Sequence, residues 1–182
     1  MQNKVLVWDK WVRTSHWLVA GLFFINAFLT EEGDEIHRYL GYAILAIMCI
    51  RWIWGFIGTQ YARFSSFFPT PQQIILHIKH IHDGEKHGLG HNPLAAMMIF
   101  ALWGVMSALI VSGWMMTLDQ FWGEEWVEEL HEWLVNMIYV MVFIHATAAI
   151  LESFLQKDNL IAAMIHGKKK VKLNEQSSKR EV

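Results

Sequence analysis

The sequence predicts an all-α integral membrane protein, a four-helix bundle with its N and C termini both cytoplasmic. Three observations carry that expectation. Hydrophobic residues fill 54% of the 182 positions and charged residues only 18%, where soluble domains carry about a quarter charged. The apolar residues gather in four stretches, each near the ~20 residues that cross a hydrocarbon core of roughly 30 Å. Basic and acidic residues also fall on alternate connections, as expected when lysine and arginine stay on the cytoplasmic side.

The first span, about 14–30, lies between Arg13 and Glu31. The second, about 39–58, is interrupted by Arg51, and the third, about 94–118, carries no charge. The fourth covers about 131–152. Strands are excluded because open sheet edges find no hydrogen-bond partners in lipid. Lys4, Lys10 and Arg13 precede span one, Arg63, Lys79 and Lys86 follow span two, and Lys157, Lys168, Lys169, Lys170, Lys172, Lys179 and Arg180 follow span four. The other two connections hold Glu31, Glu32, Asp34 and Glu35, and Asp119, Glu124, Glu125, Glu128 and Glu129. No small-residue cleavage site follows span one, so it reads as a retained helix rather than a signal peptide. The expected organisation is one bundle domain over 1–166 and a polar, frayed cytoplasmic tail over 167–182, whose lysine run can touch anionic lipid. A short interfacial helix is expected over 72–81, and Pro93 suits the first turn of span three.

Composition narrows the function. The single cysteine, Cys49, excludes an internal disulfide, a thiolate zinc site, an iron–sulfur cluster and covalent C-x-x-C-H haem attachment. No basic stripe on a polar surface suggests a nucleic-acid partner. The histidines are the informative residues, because ionisable side chains inside a membrane are costly and mark function by default.

His131 and His145 are fourteen residues apart. At ~100° and 1.5 Å per residue they share a helix face and stand about 21 Å apart. Span one begins at the cytoplasm and span two outside, so His16 lies at the inner level and His37 at the outer. The topology therefore pairs His16 with His145 and His37 with His131. Imidazole is a good iron ligand, and bundle cores build cofactor sites from facing helices. Two bis-histidine haems fit this arrangement; the alternative is four polar residues joining helices by hydrogen bonds.

Arg51 lies fourteen residues after His37, which places it at the inner level. It is read either as a partner for a haem propionate or as an arginine snorkelling to the interface. Arg38 could serve the outer haem similarly. Ala20, Gly21 and Gly41 leave room for a flat macrocycle, although close helix packing also selects small residues. His77, His80, His82, His87 and His91 crowd the cytoplasmic connection, where a metal site competes with a solvated helix face. His91, at the inner mouth of span three, is a candidate for capping, for propionate or quinone binding, or for ligation in place of His16. His166 is expected to be solvated.

These residues resemble a known family. Val7-Trp8-Asp9, Val12-Arg13-Thr14-Ser15-His16-Trp17, Ile36-His37-Arg38-Tyr39-Leu40-Gly41 and Arg51-Trp52-Ile53-Trp54-Gly55-Phe56-Ile57-Gly58 are similar, in order and spacing, to segments of bacterial cytochrome b561-type proteins. So are Gly90-His91-Asn92-Pro93, Leu130-His131-Glu132-Trp133, Ile144-His145 and Asn159 to Gly167. The likeness is greatest to the b-type cytochrome subunits of membrane-bound nickel–iron hydrogenases. It implies a four-helix bundle holding haem b, with His16, His37, His131 and His145 at the positions of the family's span histidines. It also implies electron exchange between quinone and a partner protein.

The expected function is therefore electron transfer in the bacterial inner membrane, through two haems, between quinone and a periplasmic redox protein, a c-type cytochrome or a hydrogenase. Quinone chemistry is expected near the inner haem. Two rivals come from other classes: a proton or metal transporter using the histidines and Glu152, and a structural anchor for another enzyme. The face between His131 and His145 reads Leu134, Val135, Ile138 and Val142, a dry lining that suits a haem protein better than a polar path.

Overall fold

A computed structural model describes residues 3–79, 90 and 92–171. Six α-helices are formed among them: α1 (Lys10–Phe28), α2 (Glu35–Ile57), α3 (Pro71–Lys79), α4 (Pro93–Met115), α5 (Glu125–Gln156) and α6 (Leu160–His166). Three are long and apolar enough to cross a membrane: α2, α4 and the stretch Glu125–Leu155 of α5. Helix α1 is shorter and packs beside them, with Val19, Leu22 and Phe23 against the central core.

Local signals explain where the helices begin. The Asp9 carboxylate accepts from the Val12 N–H at 2.8 Å, so α1 starts at Lys10, ahead of the expected span. Asn92 caps α4 through the Ala95 N–H at 2.7 Å, and Pro93 occupies the first turn as expected. Helix α5 starts at Glu125, six residues before the expected span, with Glu125 and Glu128 in its first turn, where carboxylates favour the positive end of the helix dipole. Helix α3 runs Pro71–Lys79, one residue ahead of the expected start at 72; residues 80 and 81 lie outside the described residues.

The core is a cluster of Ile44 and Met48 from α2, Met106, Leu109 and Ile110 from α4, and Leu134 and Ile138 from α5. Val135 and Val142 pack against it, so all four residues of the expected dry lining belong to this cluster. Large apolar side chains also cover the outside, among them Phe24, Phe28, Ile53, Phe56, Val140, Phe143 and Phe154. A water-soluble monomer rarely presents so much contiguous apolar surface; a bundle in lipid does.

The helical fold carries one small addition at its ends. The fold is not purely helical: Asn3–Leu6 (β1) and Lys168–Val171 (β2) form an antiparallel pair, with Leu6 opposite Lys168 and Asn3 opposite Val171. The start of the tail is accordingly paired rather than frayed. Gly167 makes the junction, turning at φ +82° while its carbonyl accepts from the Val7 and Trp8 N–H groups at 2.8 and 3.1 Å. Below the sheet, Val7, Trp8, Val12, Ala62 and Ala163 form a second small core. Lys169 Nζ reaches the Gly90 carbonyl at 3.2 Å and lies over the Trp8 ring at 5.4 Å. Burial lowers its pKa, against the opposing pull of Asp158 and Glu152. The β1–β2 pair marks this as the terminal end of the bundle.

Candidate cofactor site: two histidine pairs

The structure brings the four span histidines together as two pairs. His16 of α1 faces His145 of α5 with ring centres 6.4 Å apart, toward the terminal end. His37 of α2 faces His131 of α5 at 6.5 Å, at the opposite end. All four are partly buried. The apolar core lies between the two levels because Leu134 and Ile138 separate His131 from His145 along α5.

These separations fit a particular occupant. An imidazole–metal bond is about 2.0–2.1 Å long, and the ring centre stands about 1.1 Å behind the nitrogen. Two imidazoles clamping one metal ion therefore have centres about 6.3 Å apart. Among the described residues no group of three or more His, Cys, Asp or Glu side chains converges as a bare metal site would need. Two axial imidazoles suit iron that is already held in a macrocycle. Finally, Arg51 Nη1 is buried with no hydrogen-bond partner among the described residues. Native proteins seldom leave such an atom unsatisfied without a reason, and an acidic substituent would supply one. The residues fit haem.

The other expected residues divide. Arg51 is half-buried against the Trp103 ring at 5.3 Å. Arg38 is exposed and stands 4.0 Å from Glu35, on the outside of the first turn of α2. That ion pair is a local alternative to the outer site. His91, with His80, His82 and His87, lies outside the described residues, and His77 is on α3. His166 is exposed as expected, and its Nδ1 accepts from the Lys168 N–H at 3.0 Å, which helps start β2.

Four further residues contribute that the sequence reading did not single out. Ser112 Oγ lies 2.9 Å from His131 Nδ1, and Thr30 Oγ1 lies 3.4 Å from His37 Nδ1. Gly113 leaves the space that the His131 ring occupies. Asp9 accepts from Thr59 Oγ1 at 2.6 Å and from Trp54 Nε1 at 3.0 Å, tying the start of α1 to the end of α2. Burial raises the Asp9 carboxyl, but the hydrogen bonds from Thr59, Val12 and Trp54 and the charge of Arg51 outweigh it and hold its pKa below 3.8. Only the pairing of small polar residues with a histidine level could have flagged Ser112 and Thr30, and serine in a membrane helix is too common to do so.

A helical membrane bundle with imidazoles facing each other at two depths defines a class, the membrane b-type cytochromes. The chain belongs to the prokaryotic cytochrome b561 family, whose model matches residues 7–167. That family implies b-type haem and electron transport. The chain is 23% identical over 212 aligned positions to a probable Ni/Fe-hydrogenase B-type cytochrome subunit of Azotobacter vinelandii, covering 91% of this chain and 88% of that protein. A subunit of the same description from Bradyrhizobium diazoefficiens is 22% identical, with 91% and 85% covered. No solved structure matches the chain.

Proposed function

We propose that this protein carries electrons across the bacterial inner membrane through two haems b, each held by two histidines, between a periplasmic redox partner and the quinone pool. The observation that carries this reading is the pair of ring separations, 6.4 and 6.5 Å, at two levels of one bundle. His16 and His145 hold the inner haem, and His37 and His131 the outer. Arg51 donates to a propionate at the inner level. When bound, haem supplies reversible one-electron transfer, with a potential set by ligands, burial and nearby charge. Two imidazoles per iron leave no open position, so the protein's own part is to hold, orient and keep water away.

Helix α1 serves as the fourth span in this reading. The lysine-rich terminal end is cytoplasmic and the acidic connections are periplasmic, where they would attract a basic partner surface. In this reading quinone reaches the terminal end, where Lys10, Arg13, Thr14, Trp17, Leu18 and Ile165 line a shallow open groove. Its Trp17 ring packs edge-on against His16 at 5.1 Å. Among possible partners, the names of the relatives favour a hydrogenase. The test is a reduced-minus-oxidised visible spectrum with haem quantification on protein extracted from haem-replete cells. Two b haems per chain are expected; a colourless protein overturns the proposal.

A further inference from the structure

Ser112 is buried on α4, one residue before Gly113, with its hydroxyl facing the ring of His131. A serine hydroxyl carries one proton. Here Oγ lies 2.9 Å from the Leu109 carbonyl, which can only accept, so the proton goes there. The oxygen then offers a lone pair to His131 Nδ1, 2.9 Å away. The His131 ring also hydrogen-bonds the Leu109 carbonyl, which can only accept, so Nδ1 carries the proton and shares it between that carbonyl and Ser112 Oγ. In that neutral tautomer Nε2 keeps the lone pair that a metal needs.

The same logic recurs at the facing ring. Thr30 Oγ1 donates to the Asn26 carbonyl at 2.7 Å and stands 3.4 Å from His37 Nδ1, a longer and weaker version of the arrangement. At the other level the pattern is missing: His16 Nδ1 has no partner among the described residues.

We propose that Ser112 is a positioning residue for the haem held between His37 and His131, fixing the His131 tautomer and the direction of its Nε2. The inference rests on the histidine-pair reading above. A hydrogen bond donated by the ligand's remote nitrogen raises its basicity, which favours the ferric state. Losing the Ser112 oxygen, one of the ring's two acceptors beside the Leu109 carbonyl, therefore raises the reduction potential of this haem. A serine that merely bonded back to its own helix would leave that potential unchanged.

The test compares Ser112→Ala and Ser112→Thr with the parent protein in native membranes, by redox titration and by the low-spin ferric EPR signals. His131→Ala identifies which haem is the outer one. In Ser112→Ala the outer haem's ferric-to-ferrous ratio at a fixed ambient potential is expected to fall three- to tenfold. That is about 30–60 mV upward at 59 mV per decade. Its EPR signal shifts, the inner haem is unmoved, and Ser112→Thr returns both readings to the parent values. An unmoved outer haem in Ser112→Ala, beside loss of one haem in His131→Ala, overturns this inference alone. Retention of both haems in His131→Ala overturns the histidine reading and this inference with it. Should Ser112→Ala fail to hold the outer haem, native behaviour of Ser112→Thr supports the hydroxyl, and loss in both variants assigns Ser112 to packing and overturns the proposal.

Discussion

Gly113 and His131 touch across the α4–α5 interface so closely that a Cβ on Gly113 would stand 3.0 Å from His131 Cε1. The ring would have to give by a few tenths of an ångström before any side chain could start there. Gly113→Ala is therefore expected to push His131 off its line to His37. Overpacking of this kind costs about 1–3 kcal/mol. The measured outcome is a fall in outer-haem occupancy by haem quantification, with the inner haem retained.

Substitution of the histidines should separate the two levels. His37→Ala or His131→Ala should remove the outer haem alone, and His16→Ala or His145→Ala the inner haem alone. Haem per chain drops from two to one in each case. Loss of both by every single substitution would leave the pairing without support.

Arg51 holds a positive charge in a half-buried position, with Nη1 unsatisfied among the described residues and its guanidinium against Trp103. A cation near haem favours the reduced form, which carries one charge less. Arg51→Gln should lower the inner haem's potential, by about 30–60 mV if the ferric-to-ferrous ratio changes three- to tenfold. On the proposed two-haem reading, this and the hydroxyl at His131 predict that the inner haem has the higher potential, which titration of the parent protein checks.

Asp9 gives the terminal end a pH dependence. Its carboxyl is held below the usual 3.8 in the folded protein, so the unfolded chain binds protons more readily. The stabilisation is fully present above that value and is lost as pH falls through the lowered one. An acid titration followed by tryptophan fluorescence should show loosening of the Trp8 and Trp54 environment in that range. Asp9→Ala should remove the step and cost about 0.5–2 kcal/mol at neutral pH from the lost cap.

The histidine pairs were legible because one rule governs them. A helix returns to nearly the same direction after fourteen residues, so His131 and His145 define two levels, and alternating helix direction assigns His16 and His37 to them. Helix limits were less legible. Asp9 caps α1 ahead of the apolar run, and the acidic first turn of α5 is polar yet helical. The β1–β2 pair could not be read locally. Lys168-Lys169-Lys170 has the composition of a solvated tail, and its partner strand lies at the opposite end of the chain. Ser112 and Gly113 look like ordinary small residues of a membrane helix until the neighbouring helix is in place.

The clasp between β1 and β2 also constrains assembly. Asn3–Leu6 meets Lys168–Val171, so a growing chain cannot fasten it until every helix has left the ribosome. Until then the Val7 and Trp8 amides lack the Gly167 carbonyl. Closure of this pair is therefore among the last contacts a chain can make, and one that a polypeptide halted before Gly167 lacks.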